Sequence, residues 1–144
     1  MIICIGSDHA GYEMKAFLTR KLKEWGHTVK DYGTDSPDSV DYPDFAHPVA
    51  TEVAKNRRVR FGVLICGSAN GVAMTANKHE KIRAAITWTK EMATLARQHN
   101  NANIICIPAR YVNNRTASSM LKTFLESDFE GGRHKRRVGK IACS

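Results

Sequence analysis

Short apolar runs alternate with amphipathic stretches along the whole chain, and this alternation constrains the fold more than any other feature. Several of the runs are almost entirely apolar, as strands buried on both faces of a sheet are. The stretch after the first run has apolar residues at helical spacing between Met14 and Trp25, and Gly26 ends it. The five predicted strands lie at about residues 2–6, 27–32, 61–65, 82–87 and 103–107.

Strands and helices in strict alternation predict an α/β fold, a three-layer α/β/α sandwich around a five-stranded parallel sheet. The expected strand order is the flavodoxin-like, Rossmann-like order 2-1-3-4-5, which makes strands 1 and 3 neighbours. Ligands bind such sheets at the carboxyl ends of the strands, where the strand order reverses. Asp8 and His9 follow strand 1 and Cys66 follows strand 3, so we expect them at one crevice.

Length and composition predict one globular domain over residues 1–144, with 128–144 forming a basic helical tail. The chain is 42% hydrophobic and 25% charged, which is typical of globular proteins. No apolar run approaches the roughly 20 residues of a membrane span, and the start lacks the cationic region of a signal peptide. We therefore expect a cytoplasmic protein with no membrane partner.

The basic charge of the chain indicates an anionic partner. Lys and Arg exceed Asp and Glu by 22 − 14 = 8, but charge alone does not distinguish nucleic acid, membrane or small phosphate. In the tail "FEGGRHKRRVGKI", Arg133 and Arg137 are four residues apart and would share one helix face. Two aligned guanidiniums can hold a phosphate, and a solvated basic tail is the alternative. No aromatic-rich basic face supports a nucleic-acid partner.

Cys66 differs from the other cysteines because it ends its apolar run, in "VLICGSANG", whereas Cys4 and Cys106 lie inside theirs. The small residues after Cys66 lead into a predicted helix, whose backbone N–H groups suit an anion and favour a thiolate. A tight strand-to-helix turn is the alternative. The four cysteines show no C-x-x-C pair, so we expect free thiols and no metal site.

The remaining polar motifs leave alternatives open. Asp8 and His9 are candidates for acid/base groups or metal ligands, unless Asp8 caps the first helix. "DYPDFAH" also suggests metal ligands, but an aspartate before Pro43 favours a helix start instead. His99 and Asn100, in "RQHNNANI", would by themselves be interpreted as a hydrated helix end.

Several ordered motifs together resemble the type B ribose-5-phosphate isomerase family, which includes allose-6-phosphate and galactose-6-phosphate isomerases. They run from the first strand to the last helix: "GSDHAGYEMK", "DYPDFA", "ICGSANGVAMTANK", "IRAA", "RQHNNAN" and "FEGGRHKRRV". The resemblance implies an aldose–ketose isomerase that needs no metal or other cofactor and acts through an enediolate. It also implies a homodimer or tetramer with active sites shared between subunits.

The resemblance assigns roles residue by residue. Cys66 matches the base that moves a proton between C1 and C2, and Ser68 matches a hydroxyl assisting proton exchange at the oxygens. His99 matches the group that opens the furanose ring, with Asn100 and Arg110 nearby, and Asp8 is also implied in catalysis. Arg133 and Arg137 match the phosphate ligands. The other implied substrate-binding residues are His9, Tyr42, Gly67, Ala69, Asn70 and Gly71.

The chain departs from the family pattern in two places. Ala69 stands where the family usually has glycine, so the anion-binding loop must accept a methyl group, and "CIPAR" replaces a more usual glycine-containing approach to Arg110. Some relatives use a glutamate as the base. This chain has Val72 shortly after the loop and keeps Cys66, so it resembles the cysteine branch.

The leading hypothesis is isomerisation of ribose 5-phosphate and ribulose 5-phosphate, as in the pentose phosphate pathway. A six-carbon sugar phosphate isomerase is an alternative within the same class. From other classes, a non-catalytic sensor would bind the sugar phosphate without turnover. A nucleic-acid-binding module would lose affinity steeply with salt.

Overall fold

The computed structural model describes residues 1–143, which form five strands and six helices in strict alternation until the last two helices. A short 3₁₀ turn, His9–Gly11, follows the first strand. The strands are β1 (Ile2–Ser7), β2 (Thr28–Asp31), β3 (Val59–Cys66), β4 (Ala84–Ile86) and β5 (Ile104–Pro108). The helices are α1 (Tyr12–Glu24), α2 (Pro43–Lys55), α3 (Asn70–Ala76), α4 (Lys90–Gln98), α5 (Asn114–Glu126) and α6 (Arg133–Gly139).

Helix starts follow local chemistry that the sequence carries. The side chains of Thr89 and Asn113 cap α4 and α5, accepting hydrogen bonds from backbone N–H groups at 3.2 and 2.8 Å. Helix α2 begins at Pro43 with Asp44 in its first turn, as "DYPDFAH" predicts, but Tyr42 holds the cap position and no aspartate side chain caps the helix. None of the helices within residues 1–143 has the length and apolar character needed to span a lipid bilayer.

All neighbouring strands pair in parallel, which confirms the predicted α/β sandwich, but the strand order is β2-β1-β3-β5-β4. The predicted order 2-1-3-4-5 is therefore wrong in its last two strands, which are exchanged. Right-handed crossovers place a helix on one face when the chain moves one way along the sheet and on the other face when it returns. The return from β4 to β5 puts α4 on the face opposite α3.

Burial explains why β5 lies inside the sheet and β4 at its edge. All five residues of β5 are buried, whereas the three residues of β4 are half-buried. At an exposed edge, the five residues of β5 would leave more apolar surface in contact with water than the three residues of β4 do, so the sheet is more stable with β5 inside. Strands β1 and β3 remain neighbours, so the predicted reversal point lies at their carboxyl ends as expected.

Two hydrophobic cores cover the two faces of the sheet, which completes the predicted three layers. Helices α1, α4 and α5 pack on one face, against Ile3, Ile5 and other odd-numbered residues of the inner strands. Helices α2 and α3 pack on the other face, against Cys4, Leu64 and Cys106. The side-chain period of two along each strand produces this division.

The buried guanidinium of Arg97 ties the end of α4 to the segment that leads into α6. Only 3% of Arg97 is exposed. It donates hydrogen bonds to the carbonyl oxygens of Ala102 at 2.7 Å and Ser127 at 3.2 Å. Its carbon Cζ also lies 4.8 Å from the centre of the Phe61 ring. These contacts fix the position of the loop that follows α4.

We expect Arg97→Ala to lower the free energy of unfolding by roughly 2 to 4 kcal/mol, because buried carbonyl acceptors lose their donors and a cavity forms. Urea unfolding measures this change. Arg57→Ala is the matched control, since Arg57 is exposed and should change stability by less than about 0.5 kcal/mol. Equal effects of the two substitutions would contradict the structural role of Arg97.

Candidate active site

A crevice of about 410 Å³ opens at the carboxyl ends of the inner strands, where the sequence predicts it. The walls come from the loops after β1, β3 and β5, together with the start of α2. Most of the predicted site residues are thus brought together. The lining residues are Asp8, His9, Ala10, Tyr42, Cys66, Gly67, Ser68, Gly71, Arg110 and Tyr111.

Strand β3 delivers Cys66 to the floor of this crevice. Cys66 is 4% exposed, and its carbonyl oxygen accepts a hydrogen bond from the N–H of Ala109 at 2.9 Å. The two other strand cysteines are isolated from any ligand. Burial raises the pKa of the Cys4 thiol to about 12, and it also raises the pKa of Cys106, so both stay protonated at neutral pH. Cys66 is therefore the one strand cysteine placed to react.

The loop after Cys66 accommodates the alanine that stands where the family usually has glycine. Ala69 has a φ of 66°, the left-handed region that favours glycine, and costs roughly 1 to 2 kcal/mol there. Its methyl group is fully buried in the core beneath α2 and α3, which offsets part of that strain. The hydroxyl of Ser68 accepts a hydrogen bond from the N–H of Asn70 at 3.3 Å and so shapes the start of α3.

Two glycines of this loop allow larger side chains to close over it. A Cβ on Gly67 would lie 3.0 Å from Nη1 of Arg110, and one on Gly71 would lie 2.5 Å from the ring of Tyr42. The N–H of Arg110 also donates to the carbonyl oxygen of Gly67 at 3.1 Å. Arg110 thus lies on the Cys66 side of the molecule, whereas His99 of the same chain precedes β5, at the other end of the strands.

Asp8 caps the short 3₁₀ turn that follows β1, whereas the cap position of α1, for which the sequence offers Asp8 as a candidate, is held by Gly11. Its Oδ1 accepts hydrogen bonds from the N–H groups of Ala10 at 3.0 Å and Gly11 at 3.3 Å. The neighbouring ring of His9 accepts a hydrogen bond at Nδ1 from the N–H of Val40, at 3.2 Å. Neutral His9 therefore carries its proton on Nε2, where it can donate to an oxygen of a ligand.

The other predicted residues lie elsewhere. His99 follows the last residue of α4, and its ring stacks on that of His134 with centroids 4.2 Å apart. Burial, together with the nearby His99 and Arg133, lowers the pKa of His134. Arg133 and Arg137 are exposed on α6, one turn apart, so they share one helix face as the sequence predicts. Neither has an ion pair within residues 1–143.

The Cys66 crevice and the group around His99 lie at opposite ends of the parallel strands, the crevice at their carboxyl ends and His99 at their amino ends. Cys66 stands at the carboxyl end of β3, while His99 and Asn100 precede β5, whose first residue, Ile104, pairs with Gly62. The four residue steps from Gly62 to Cys66 alone extend about 13 Å along the strand. One chain therefore does not bring His99 to Cys66.

Sequence reasoning missed three residues that the structure places beside the predicted ones. Tyr111 lines the crevice, and its position directly after Arg110 and the carboxyl end of β5 could have indicated this. Glu130 and His134 contact His99, with Glu130 Oε1 3.4 Å from His99 Nε2. Separations of more than 30 residues gave no sequence signal for those contacts.

Comparison with known proteins identifies the family. The model of the Ribose/Galactose Isomerase family matches residues 3–141. A probable ribose-5-phosphate isomerase B of Mycoplasma genitalium is 44% identical over 140 residues, 96% of this chain and 92% of the relative. Ribose-5-phosphate isomerase B of Escherichia coli is 39% identical over 141 residues, 98% of this chain and 94% of the relative.

Solved structures agree with the sequence matches. The crystal structure of a ribose 5-phosphate isomerase from Thermotoga maritima is 44% identical and superposes with a TM-score of 0.94, covering 97% of this chain and 96% of that one. The Mycoplasma genitalium enzyme with bound ribulose-5-phosphate is 43% identical, with a TM-score of 0.94 over 97% of this chain and 93% of that one. Sequence and fold agree over almost the whole chain, and the chain therefore belongs to the ribose/galactose isomerase family.

Proposed function

We propose that the protein interconverts ribose 5-phosphate and ribulose 5-phosphate through an enediolate. The observation that carries this proposal is the position of Cys66, at the floor of a polar crevice and directly before the N–H groups that begin α3. The similarity to a solved enzyme with bound ribulose-5-phosphate supports the choice of substrate. Residues 1–144 act as one isomerase domain with a basic tail, and the free cysteines favour the reducing cytoplasm.

Cys66 acts as the base in this mechanism. Its thiolate removes the proton from C2 of the open-chain aldose and returns it to C1. The proton on O2 passes to O1 with the assistance of the Ser68 hydroxyl, so that the carbonyl group moves from C1 to C2 and the ketose results. Negative charge at this point is favoured by the amino end of α3. The enediolate oxygens need hydrogen-bond donors, and the hydroxyl of Ser68 and Nε2–H of His9 line the same crevice. Asp8 holds the loop that presents His9, in addition to the catalytic role predicted for it.

A second copy of the chain completes the site. We propose that His99 and Asn100 open the furanose ring and that Arg133 and Arg137 hold the phosphate, all from the partner of the chain that supplies Cys66. The separation of these groups along the length of the strands supports this arrangement. A homodimer is the smallest assembly with such sites, and a tetramer would contain two of them.

The surface beside the crevice has the apolar character of a contact between subunits. Met74, Trp88 and Tyr111 are 67%, 51% and 76% exposed. Trp88 and Tyr111 line a shallow depression that shares Ser68 with the crevice, so the apolar surface continues to the mouth of the site. A partner seated here would cover these side chains and exclude water from the reacting carbons.

An isomerase assay on five- and six-carbon sugar phosphates, with a chelator present, tests the function. We expect turnover of ribose 5-phosphate, and Cys66→Ala should lower kcat by at least about 10²-fold with little change in KM, because the base acts in the transition state. Cys106→Ala is the matched control, since it removes another buried thiol from the same core. Binding without turnover would favour the sensor, and loss of activity with chelator would contradict the mechanism.

Mixed dimers test the shared site. In a purified dimer of one Cys66→Ala chain and one His99→Asn chain, one of the two sites keeps both groups, so about half the wild-type activity should return. The control pairs a wild-type chain with a chain that carries both substitutions. A shared site predicts no activity for this control, whereas a site within one chain predicts half. Recovery in the control and not in the first dimer would overturn the proposal.

The tail arginines should act through the phosphate. Arg133→Ala or Arg137→Ala should raise KM for ribose 5-phosphate and cost about 1.5 to 3 kcal/mol in kcat/KM, the usual loss of a charge-assisted contact. Lys135→Ala is the control, because it lies between them in α6 and points to another face. If all three substitutions act alike, and only through ionic strength, the tail is a solvated basic surface.

A further inference from the structure

Three side chains with metal-binding atoms meet near the amino ends of the strands, away from the Cys66 crevice. They are His99, Glu130 and His134, and one ligand atom from each lies within 4.8 Å of the others. His99 Nε2 and Glu130 Oε1 are already 3.4 Å apart. Ligands at about 2.0 to 2.1 Å from a tetrahedral zinc ion are separated by about 3.3 Å, so this pair has nearly the spacing of a metal site.

The backbone holds these groups together from both sides. The N–H of Glu130 donates to the carbonyl oxygen of Gln98 at 3.0 Å, which fixes Glu130 beside the end of α4. Gly131 and Gly132 then have φ values of 70° and 55°, a turn that brings α6 back over His99. His134 lies in the first turn of α6, with its ring stacked on that of His99. The two imidazole planes are nearly parallel, at 12°, so the partly exposed ring of His134 must rotate out of this stack for both rings to face one ion.

We propose that His99, Glu130 and His134 bind a divalent transition-metal ion of the Zn²⁺ class. Two imidazole nitrogens and one carboxylate oxygen are ligands that Zn²⁺ prefers, whereas Mg²⁺ and Ca²⁺ require mainly oxygen. A three-residue set leaves a fourth position for water or an anion. Arg133 and Arg137 stand on the same short helix and repel a cation, so we expect reversible binding rather than a permanent structural metal.

The metal site has a consequence for catalysis that rests on the proposed function. If His99 opens the sugar ring, a bound ion takes the ring nitrogen that this step needs. Zn²⁺ is then a reversible inhibitor of the reaction with ribose 5-phosphate, and a chelator protects activity. Binding of the ion itself does not depend on the proposed function.

Other groups in the molecule also attract such ions, and they define the controls. His47 Nδ1 and His79 Nε2 are 2.7 Å apart on the surface, and Cys143 is an exposed thiol. His79→Ala removes the first alternative and Cys143→Ser the second. A thiolate ligand would also add a near-ultraviolet charge-transfer band to a Co²⁺ complex, which histidine and glutamate ligands do not.

Titration of the chelator-stripped full chain with Co²⁺ and Zn²⁺ tests the proposal, using visible absorption and calorimetry. We expect one site without a thiolate band. His134→Ala and Glu130→Gln should each weaken binding by at least about tenfold, the smaller loss seen even for outer-shell partners of metal sites. His79→Ala and Cys143→Ser should leave it unchanged. Circular dichroism checks that each variant keeps its helices.

Activity provides the second readout. Zn²⁺ should inhibit the wild-type protein, whereas His134→Ala, compared with its own metal-free activity, should not be inhibited at the same Zn²⁺ concentration. Unchanged affinity in both His134→Ala and Glu130→Gln, or loss of the site in His79→Ala or Cys143→Ser, would overturn the metal site. Absence of isomerase activity on every sugar phosphate would refute the proposed function instead, and the titration would still decide whether the metal binds.

Discussion

Burial of the inner strands on both faces is the constraint on which the rest of the structure depends. Strands β3 and β5 consist almost wholly of buried residues, so helices must cover both sides of the sheet. In a parallel sheet all of the strands have their carboxyl ends on one side and their amino ends on the opposite side. The candidate functional groups lie at these two ends of the strands, with the Cys66 crevice at the carboxyl ends and the cluster of His99, Glu130 and His134 at the amino ends.

Backbone contacts and close packing hold the loops at the carboxyl ends of the strands. Gly67 and Gly71 leave room for Arg110 and Tyr42, and Ala69 adopts a left-handed backbone that its buried methyl group helps to stabilise. Preorganised donors of this kind favour a developing negative charge without reorganising during a reaction. The strain at Ala69 is therefore stored in the loop that carries the candidate base.

At the amino ends of the strands, the buried guanidinium of Arg97 and the turn at Gly131 and Gly132 hold the local structure together. Arg97 anchors the end of α4 to carbonyl groups on both sides of it, and the two glycines before α6 return the chain over His99. A basic helix and an imidazole pair thus share a small surface. The proposed assembly of two chains would bring this surface to the Cys66 crevice of a partner. His99 would then take part in ring opening when no metal ion is bound and act as a ligand when one is.

The sequence by itself determined the element types, the parallel sheet and the crevice with Asp8, His9 and Cys66, because strand and helix periodicity are local and strand ends share one edge. It did not determine that β5 enters the sheet before β4, since that choice depends on which strand buries more apolar surface in the folded molecule. Only the tertiary structure brought Glu130 and His134 into contact with His99. Those contacts join residues far apart in the chain, and packing rather than spacing decides them.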